Sequence, residues 1–518
     1  MKRPKGVVAA GHEETVRAAE MILNAGGNAF DAVIAAHLAA CVSEPVLSSL
    51  AGGGFMLTQC DRGQACLYDF FTHTPRVRRD SSQVNFFPIS ADFGETQQEF
   101  HIGWGSFATP GTVRGLFAIH KDHASMSMKE LVQPAVELAR SGVRVNHYQA
   151  YVLDIVKEIY KVSPDVAALF GKKGEQGTLV EEGDIVYNPE LADFLEVLAI
   201  EGEDLFYRGE IADRVGMLCQ SSGGHITRED MESYPLYRRE PLRVRYKNYA
   251  ISTNPGPSSG GTLIAFALKM LESSDRMYAS YGSLEYIRTL AEVQMATEMA
   301  RMDFLLNKKE KFPGEEMLHP EYLASFKEQL KTHPRFFRGT THISVMDQRG
   351  NVASLTTSNG EGCGHVIPGT GIMMNNMLGE EDLHPHGFHS WPENSRITSM
   401  MAPTILTVPG QSLVALGSGG SNRLRTAILQ VLLHLTDHNM SLEDAVTAPR
   451  IHCEKEELSI EHGFSPSVIE EIKKEWPNTR LWSGYNLFFG GTHAVSADKN
   501  GFHGAGDPRR GGCSKRVY

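Results

Sequence analysis

Apolar residues recur at helical spacing from Glu13 to Asn24, and Gly26-Gly27 stops the run. Asn28 then stands as the cap of a second helix, carried by Ala29-Phe30-Asp31-Ala32 through about Cys41. Phe55–Gln59 and Ala65–Phe70 read as two strands about the turn Asp61-Arg62-Gly63, the pattern of a hairpin. From Pro110 to about Leu330 most segments are amphipathic helices, interrupted by extended stretches at Leu242–Tyr246 and Ala250–Ser252. Strands return at Thr341–Met346, Val352–Thr357, Thr404–Val408 and Leu413–Leu416. A helix from about Arg423 to His434 and a late strand at Thr492–Ala497 follow. Strands, helices, then strands again imply an α+β chain built in stacked layers.

With 518 residues, 41% of them hydrophobic, the chain can bury a large core. A formal net charge of −12 argues against a surface for nucleic acid or anionic lipid, because phosphate binding needs clustered Lys and Arg. Small molecules or peptides are the expected partners. Met1-Lys2-Arg3-Pro4-Lys5-Gly6 is basic, but only Val7–Ala10 follows before polar residues, so no signal-peptide core is read, and no apolar run spans a bilayer. Seven scattered cysteines without a C-x-x-C pair fit reduced thiols, and a cytoplasmic location is expected.

Candidate chemistry concentrates at Gly339-Thr340-Thr341-His342. A threonine hydroxyl inside a chain has no base of its own. Once the bond before Thr340 is cut, the new α-amino group, with a reference pKa near ~7.7–8.0, can take the hydroxyl proton, so one residue supplies nucleophile and base. Glycine before the cut tolerates the strained backbone that such an attack needs. Taken alone, Gly-Thr-Thr is also an ordinary opening of a strand.

The rest of the chain changes that balance. Gly26–Ala32, Ala51-Gly52-Gly53-Gly54-Phe55-Met56, Thr109-Pro110-Gly111-Thr112-Val113 and Pro255–Gly261 precede the Thr340 block. Gly371–Asn376, Met401-Ala402-Pro403-Thr404-Ile405, Gly417-Ser418-Gly419-Gly420 and Asp507-Pro508-Arg509 follow it. In that order these segments resemble the γ-glutamyltranspeptidase family of N-terminal nucleophile hydrolases from end to end. The resemblance implies a four-layer αββα sandwich of two antiparallel sheets between helical layers. It implies self-cleavage at Gly339/Thr340 into a large subunit, 1–339, and a small one, 340–518, interleaved in one domain as a heterodimer. Pro313–Glu316 and Lys331–Gly339 read as loop-like and suit a segment to be severed. The implied activity is cleavage of γ-glutamyl amides of the glutathione kind through an acyl-enzyme on Thr340. The acyl group would pass to water or to an amino-acid or peptide acceptor, with no cofactor and no metal.

Carried over position by position, the resemblance makes Ser358 the hydroxyl that hydrogen-bonds the nucleophile. It aligns Gly420 and Ser421 with two glycines whose amides form an oxyanion hole. Gly419-Gly420-Ser421-Asn422 opens a helix after a strand, where backbone N–H groups are free, though this is also plain turn chemistry. The substrate-binding positions depart from the pattern. Phe71, in Asp69-Phe70-Phe71-Thr72-His73-Thr74-Pro75, stands where the family carries an arginine for the substrate α-carboxylate. Losing such a clamp would cost roughly 2–5 kcal/mol. Gly360 replaces an amide or acidic residue, Met377 and Glu380 follow Asn375-Asn376, and Ser399-Met400 replaces a serine pair. Two substrate readings follow. Either the chain still takes γ-glutamyl groups, with Glu380 on the α-amino group and Arg114, Arg396 or Arg423 as the replacement cation, or the machinery serves another acyl group. Acylases, poly-γ-glutamate-processing enzymes and oxamate-type amidohydrolases share the fold, and Phe71, Met377 and Met400 suit a less charged acyl group.

Three other readings stand beside these. Gly256-Pro257-Ser258-Ser259-Gly260 fits the G-x-S-x-G elbow of a serine hydrolase, although Pro257 is awkward at a strained turn. His384-Pro385-His386-Gly387-Phe388-His389, after Glu380-Glu381-Asp382, could hold a metal but reads better as a solvated lid. An inert scaffold has no physical use for Thr340, Ser358 and Gly420 together.

Overall fold

Strand Thr341–Asp347 lies near the middle of a seven-stranded sheet. Gly6–Ala10 flanks it on one side and Val352–Ser358 on the other, both antiparallel. Cys513–Val517 closes the edge beyond Gly6–Ala10; Gly53–Gln59, Ala65–Phe70 and Tyr237–Arg239 complete the opposite half. A second, six-stranded sheet runs in the order Gly501–Ala505, Gly491–Asp498, Ser412–Gly419, Thr404–Val408, Tyr249–Thr253, Leu242–Tyr246, again antiparallel throughout. The computed structural model describes all residues except 1–2, 93–96, 176, 274–278, 308–314, 326–338, 385, 409–411 and 455–456.

Side-chain alternation explains the layering. Val8 and Ala10 point to a core shared with helices Glu13–Asn24 and Ala29–Ser43, whereas Val7 and Ala9 join the core of the second sheet. Every residue of Ala29–Ser43 is buried, and the helix is apolar on all sides to match. On the far side, helices Gly260–Glu272 and Arg423–Thr436 cover the second sheet. The result is helix, sheet, sheet, helix, the sandwich expected from the sequence.

Between the sheets the layer is polar where it nears Thr340. Buried His342 bridges Thr356 Oγ1 and Ser344 Oγ, both at 2.8 Å, and burial pushes its pKa well below the ordinary histidine value, so it is neutral. Gly417 admits that ring, since a Cβ there would lie 2.3 Å from His342 Cε1.

The expected helices and strands fall where the periodicity puts them, within a few residues at each end. The strands added to those expected include Gly6–Ala10, Cys513–Val517 and Tyr237–Arg239 in the first sheet, Gly501–Ala505 in the second, and the hairpin of Phe87–Asp92 with Gln97–Ile102. Gly6–Ala10 is buried on both faces and so shows no alternation; Cys513–Val517 is an edge strand with mostly polar side chains. Of the two loop-like stretches, Pro313-Gly314 and Lys331–Arg338 lie outside the described residues, and Glu315–Leu318 forms a 3-10 turn.

Candidate active site

Gly339 and Thr340 are both buried. Two groups grip the peptide before Thr340. Ser358 Oγ donates to the Gly339 carbonyl at 2.5 Å, and the Gly339 N–H donates to Glu361 Oε1 at 2.8 Å. Ser358 also accepts from the Gly360 N–H at 3.0 Å, which fixes its lone pair and aims its proton at the carbonyl. The sequence reading placed Ser358 on the threonine hydroxyl. Ser358 bonds instead to the Gly339 carbonyl, which such a hydroxyl would attack. Glycine at 339 has a packing reason as well as a conformational one: a Cβ would sit 2.4 Å from the Gly360 carbonyl oxygen.

Behind this peptide, Arg510 Nη1 donates to the Thr340 carbonyl at 3.3 Å. Glu44 accepts from Thr341 Oγ1 at 2.8 Å and from Thr15 Oγ1 at 3.0 Å. Burial pushes the Glu44 carboxyl up to about 7, against the opposing pull of those two hydroxyls and of the Arg510 charge. Glu361, Arg510 and Glu44 escaped the sequence reading; Ser43-Glu44-Pro45 and Asn359-Gly360-Glu361 have no spacing that marks them.

Strand Ser412–Gly419 ends beside Thr340, where a Cβ on Gly419 would meet the Thr340 carbonyl oxygen at 2.2 Å. Gly420 has φ +124° and Ser421 φ +55°, and helix Arg423–Thr436 begins two residues on. This turn leaves the Gly420 and Ser421 amides outside both the sheet ladder and the helix, so they can serve as donors to an incoming oxyanion.

The positions expected to grip the acyl group rest on side-chain packing. Gly360 has φ +64°, and a Cβ there would lie 1.9 Å from Asn376 Oδ1 and 2.4 Å from Glu380 Oε1. Glu380 therefore occupies the space that a larger residue at 360 would need, which accounts for the glycine. Met377 is buried in a 3-10 turn, Met377–Gly379, anchored by the bond from its N–H to Asn375 Oδ1 at 3.0 Å. Phe71 is buried and stacks on Phe55 at 5.5 Å. Ser399 Oγ accepts from the Met401 N–H at 3.1 Å, and Met400 Sδ lies 3.2 Å from Ser259 Oγ.

None of the three cations named as replacements stands as a free clamp. Arg396 is buried against Asp69, with Nε 3.1 Å from Oδ1, and also donates to the Phe71 carbonyl and to Tyr234 Oη. Arg114 pairs with Glu203 at 3.0 Å over the Tyr207 ring. Arg423 donates to the Phe488 carbonyl at 3.2 Å and lies over that ring, two residues beyond Ser421. Asp69 is doubly neutralised, because Arg239 reaches its other oxygen at 2.8 Å.

The geometry at Ser258 lends the serine-elbow reading no support. Ser258 is buried, and its hydroxyl donates to the Ser399 carbonyl at 2.7 Å, with Met401 O at 3.3 Å; among the described residues no histidine is bonded to it. With Ser259, whose N–H meets the same Ser399 carbonyl at 2.8 Å, it forms a shelf beneath Ser399-Met400. In the histidine-rich loop, His384 Nε2 lies 2.9 Å from the Met377 carbonyl, His386 is exposed and Phe388 packs on His101 at 4.2 Å; Pro385 lies outside the described residues. Among the described residues, no three His, Cys, Asp or Glu side chains converge as metal ligands, and no helix is long and apolar enough to cross a membrane.

A threonine opening a central strand, between two antiparallel sheets sandwiched by helices, defines the N-terminal nucleophile hydrolase fold. The fold matches cephalosporin acylase from Bacillus halodurans with a TM-score of 0.86 at 22% identity, over 99% of this chain and 97% of that one. The gamma-glutamyltranspeptidase family model covers residues 15–517, and the chain belongs to that family of enzymes. It is 30% identical to the glutathione hydrolase proenzyme of Escherichia coli K12 over 98% of this chain and 91% of that protein. It is also 30% identical to the acylase ACY 1 proenzyme of Pseudomonas sp. V22, over 90% and 86% respectively.

Proposed function

We propose that the protein is a self-processing threonine amidohydrolase. The observation that carries this reading is the grip on the peptide before Thr340, with Ser358 on the Gly339 carbonyl and Glu361 on the Gly339 N–H. Thr340 Oγ adds to the Gly339 carbonyl carbon, the C–N bond breaks as the nitrogen takes the proton, and an ester forms. Water then cleaves the ester, leaving a Gly339 carboxylate and a free Thr340 amine. Residues 1–339 and 340–518 stay together as a heterodimer, because strand Gly6–Ala10 lies between Thr341–Asp347 and Cys513–Val517. In turnover the Thr340 amine acts as base for its own hydroxyl. Ser358 orients that hydroxyl once its first acceptor is gone, and the Gly420 and Ser421 amides take the oxyanion charge. The acyl group leaves to water or to an amino acceptor.

For the substrate, the relatives point to γ-glutamyl amides such as glutathione, with Glu380 and Ser399 as the polar contacts. The site also supports a second reading, a small or apolar acyl amide as in the acylases and oxamate-type enzymes. Phe71, Met377 and Met400 are apolar, and Arg396, nearest the missing clamp, is engaged by Asp69.

The test is the denatured intact mass of wild type beside Thr340→Ala, followed by turnover of γ-glutamyl, oxamate-type and N-acyl amides. Two fragments meeting at Gly339/Thr340, absent from the variant, are expected. An uncut wild type would sink the proposal.

A further inference from the structure

Of the five non-glycine residues with positive φ among the described residues, Ser421 alone is buried. Its φ of +55° puts an L-residue in the left-handed region, which glycine enters freely and serine does not. It follows Gly420, itself at +124°, so the amides of 420 and 421 are aimed by two successive left-handed residues. One side-chain bond holds the serine there: Ser421 Oγ donates to Asp382 Oδ2 at 3.2 Å. Asp382 is buried on the 3-10 turn Glu381–Leu383, and the Arg301 charge on helix Leu284–Asn307 faces it. The same short stretch carries Met377 and Glu380, so one loop reaches both the acyl side and the oxyanion side.

We infer that Asp382 is a positioning residue for the oxyanion hole, holding Ser421 in a backbone conformation that a glycine would adopt unaided. This rests on the assignment of Gly420 and Ser421 as oxyanion donors. Asp382 touches no reacting atom; it acts by keeping the Ser421 N–H on target. A donor that drifts weakens binding of the developing charge more than binding of the neutral substrate, so the effect falls on kcat and not on KM.

A double-mutant cycle tests this in the purified, self-processed enzyme, with γ-glutamyl-p-nitroanilide and a series of N-acyl-p-nitroanilides as probes and with precursor conversion after cell-free synthesis as a second readout. Asp382→Ala is expected to lower kcat about tenfold or more with KM within about twofold, and Asp382→Asn, which keeps an acceptor for the serine, to stay within about threefold of wild type. In the Ser421→Gly background, Asp382→Ala is expected to change kcat by less than about threefold, because the glycine needs no clamp. Equal losses in both backgrounds, a loss in KM alone, or no loss in the wild-type background would overturn the inference. If Asp382→Ala fails to fold, Ser421→Ala removes the same bond from the other side and must show the same kcat loss. A wild type that neither cuts itself nor hydrolyses any probe overturns the proposed function as well, whereas an active wild type with an indifferent Asp382 overturns only this step.

Discussion

The two halves of the site follow different rules. Around Thr340 the proposed working groups are backbone amides, one hydroxyl and glycines whose missing Cβ atoms make room: Ser358 on the Gly339 carbonyl, the turn at Gly420 and Ser421, and Gly419 against the Thr340 carbonyl. On the proposed acyl side, Phe71, Met377 and Met400 are large apolar side chains and Gly360 leaves room for Glu380. Chemistry performed by backbone geometry tolerates little drift, because an extra atom at Gly339 or Gly419 collides with main chain. A pocket wall can be relined without moving the catalytic peptide, so fold and reaction class persist while substrate changes.

The largest effect belongs to the first half. Thr340→Ala removes the hydroxyl, and amide turnover by the purified protein should fall by at least about 10⁴-fold, with the precursor left whole. Thr340→Ser keeps a hydroxyl and an amine and should retain both cleavage and turnover at reduced rates. If the alanine variant keeps its activity, the nucleophile lies elsewhere and the comparison of halves collapses.

A sharper probe of the second half is Phe71→Arg, which installs the arginine that the family resemblance implies there. Phe71 is buried against Phe55, and Asp69, two residues before it, already binds Arg396 and Arg239. A third guanidinium there would share a carboxylate that two arginines already neutralise. We expect a loss of about 3–5 kcal/mol in denaturant unfolding and no gain in γ-glutamyl affinity. Wild-type stability together with tighter γ-glutamyl binding would show that the wall around Phe71 still forms a carboxylate site.

Much of this contrast was legible in the sequence. Helical spacing and hairpin turns indicate most elements of both sheets, and the Gly-Thr-Thr block and the Gly-rich helix start point to the segments that the fold brings side by side at Thr340 and Gly419. The partners of those residues were not legible. Glu44 lies 297 positions from Thr341, and Arg510 lies 170 from Thr340, so only the folded sheets bring them together. The Arg396 partner is illegible for a related reason: a charge can be assigned as free only when its buried neighbours are known, and Asp69 pairs with it.

Glu44 offers the next test, through pH. Its carboxyl titrates near 7 when folded and near the ordinary glutamate value when unfolded, so folding favours the protonated form. That stabilisation is fully present below the unfolded value and is lost as pH rises through about 7; the shift corresponds to roughly 3 kcal/mol. Denaturant unfolding at pH 5 and pH 8 should show wild type losing more stability than Glu44→Gln, whose amide cannot ionise. Parallel pH profiles for the two proteins would remove Glu44 from the account.

The smallest effect separates shelf from nucleophile. Ser258 donates to the Ser399 carbonyl at 2.7 Å, which also receives the Ser259 N–H at 2.8 Å, so removing the hydroxyl leaves that carbonyl with a partner. Ser258→Ala should therefore destabilise the fold by only about 1 kcal/mol and keep turnover within about threefold of wild type. A serine nucleophile at that position would instead cost about three orders of magnitude or more. The two expectations differ by so much that a single rate measurement decides between them. A modest loss places Ser258 with Phe71 and Met400 in the part of the site that can be relined, apart from the peptide geometry around Thr340 that cannot.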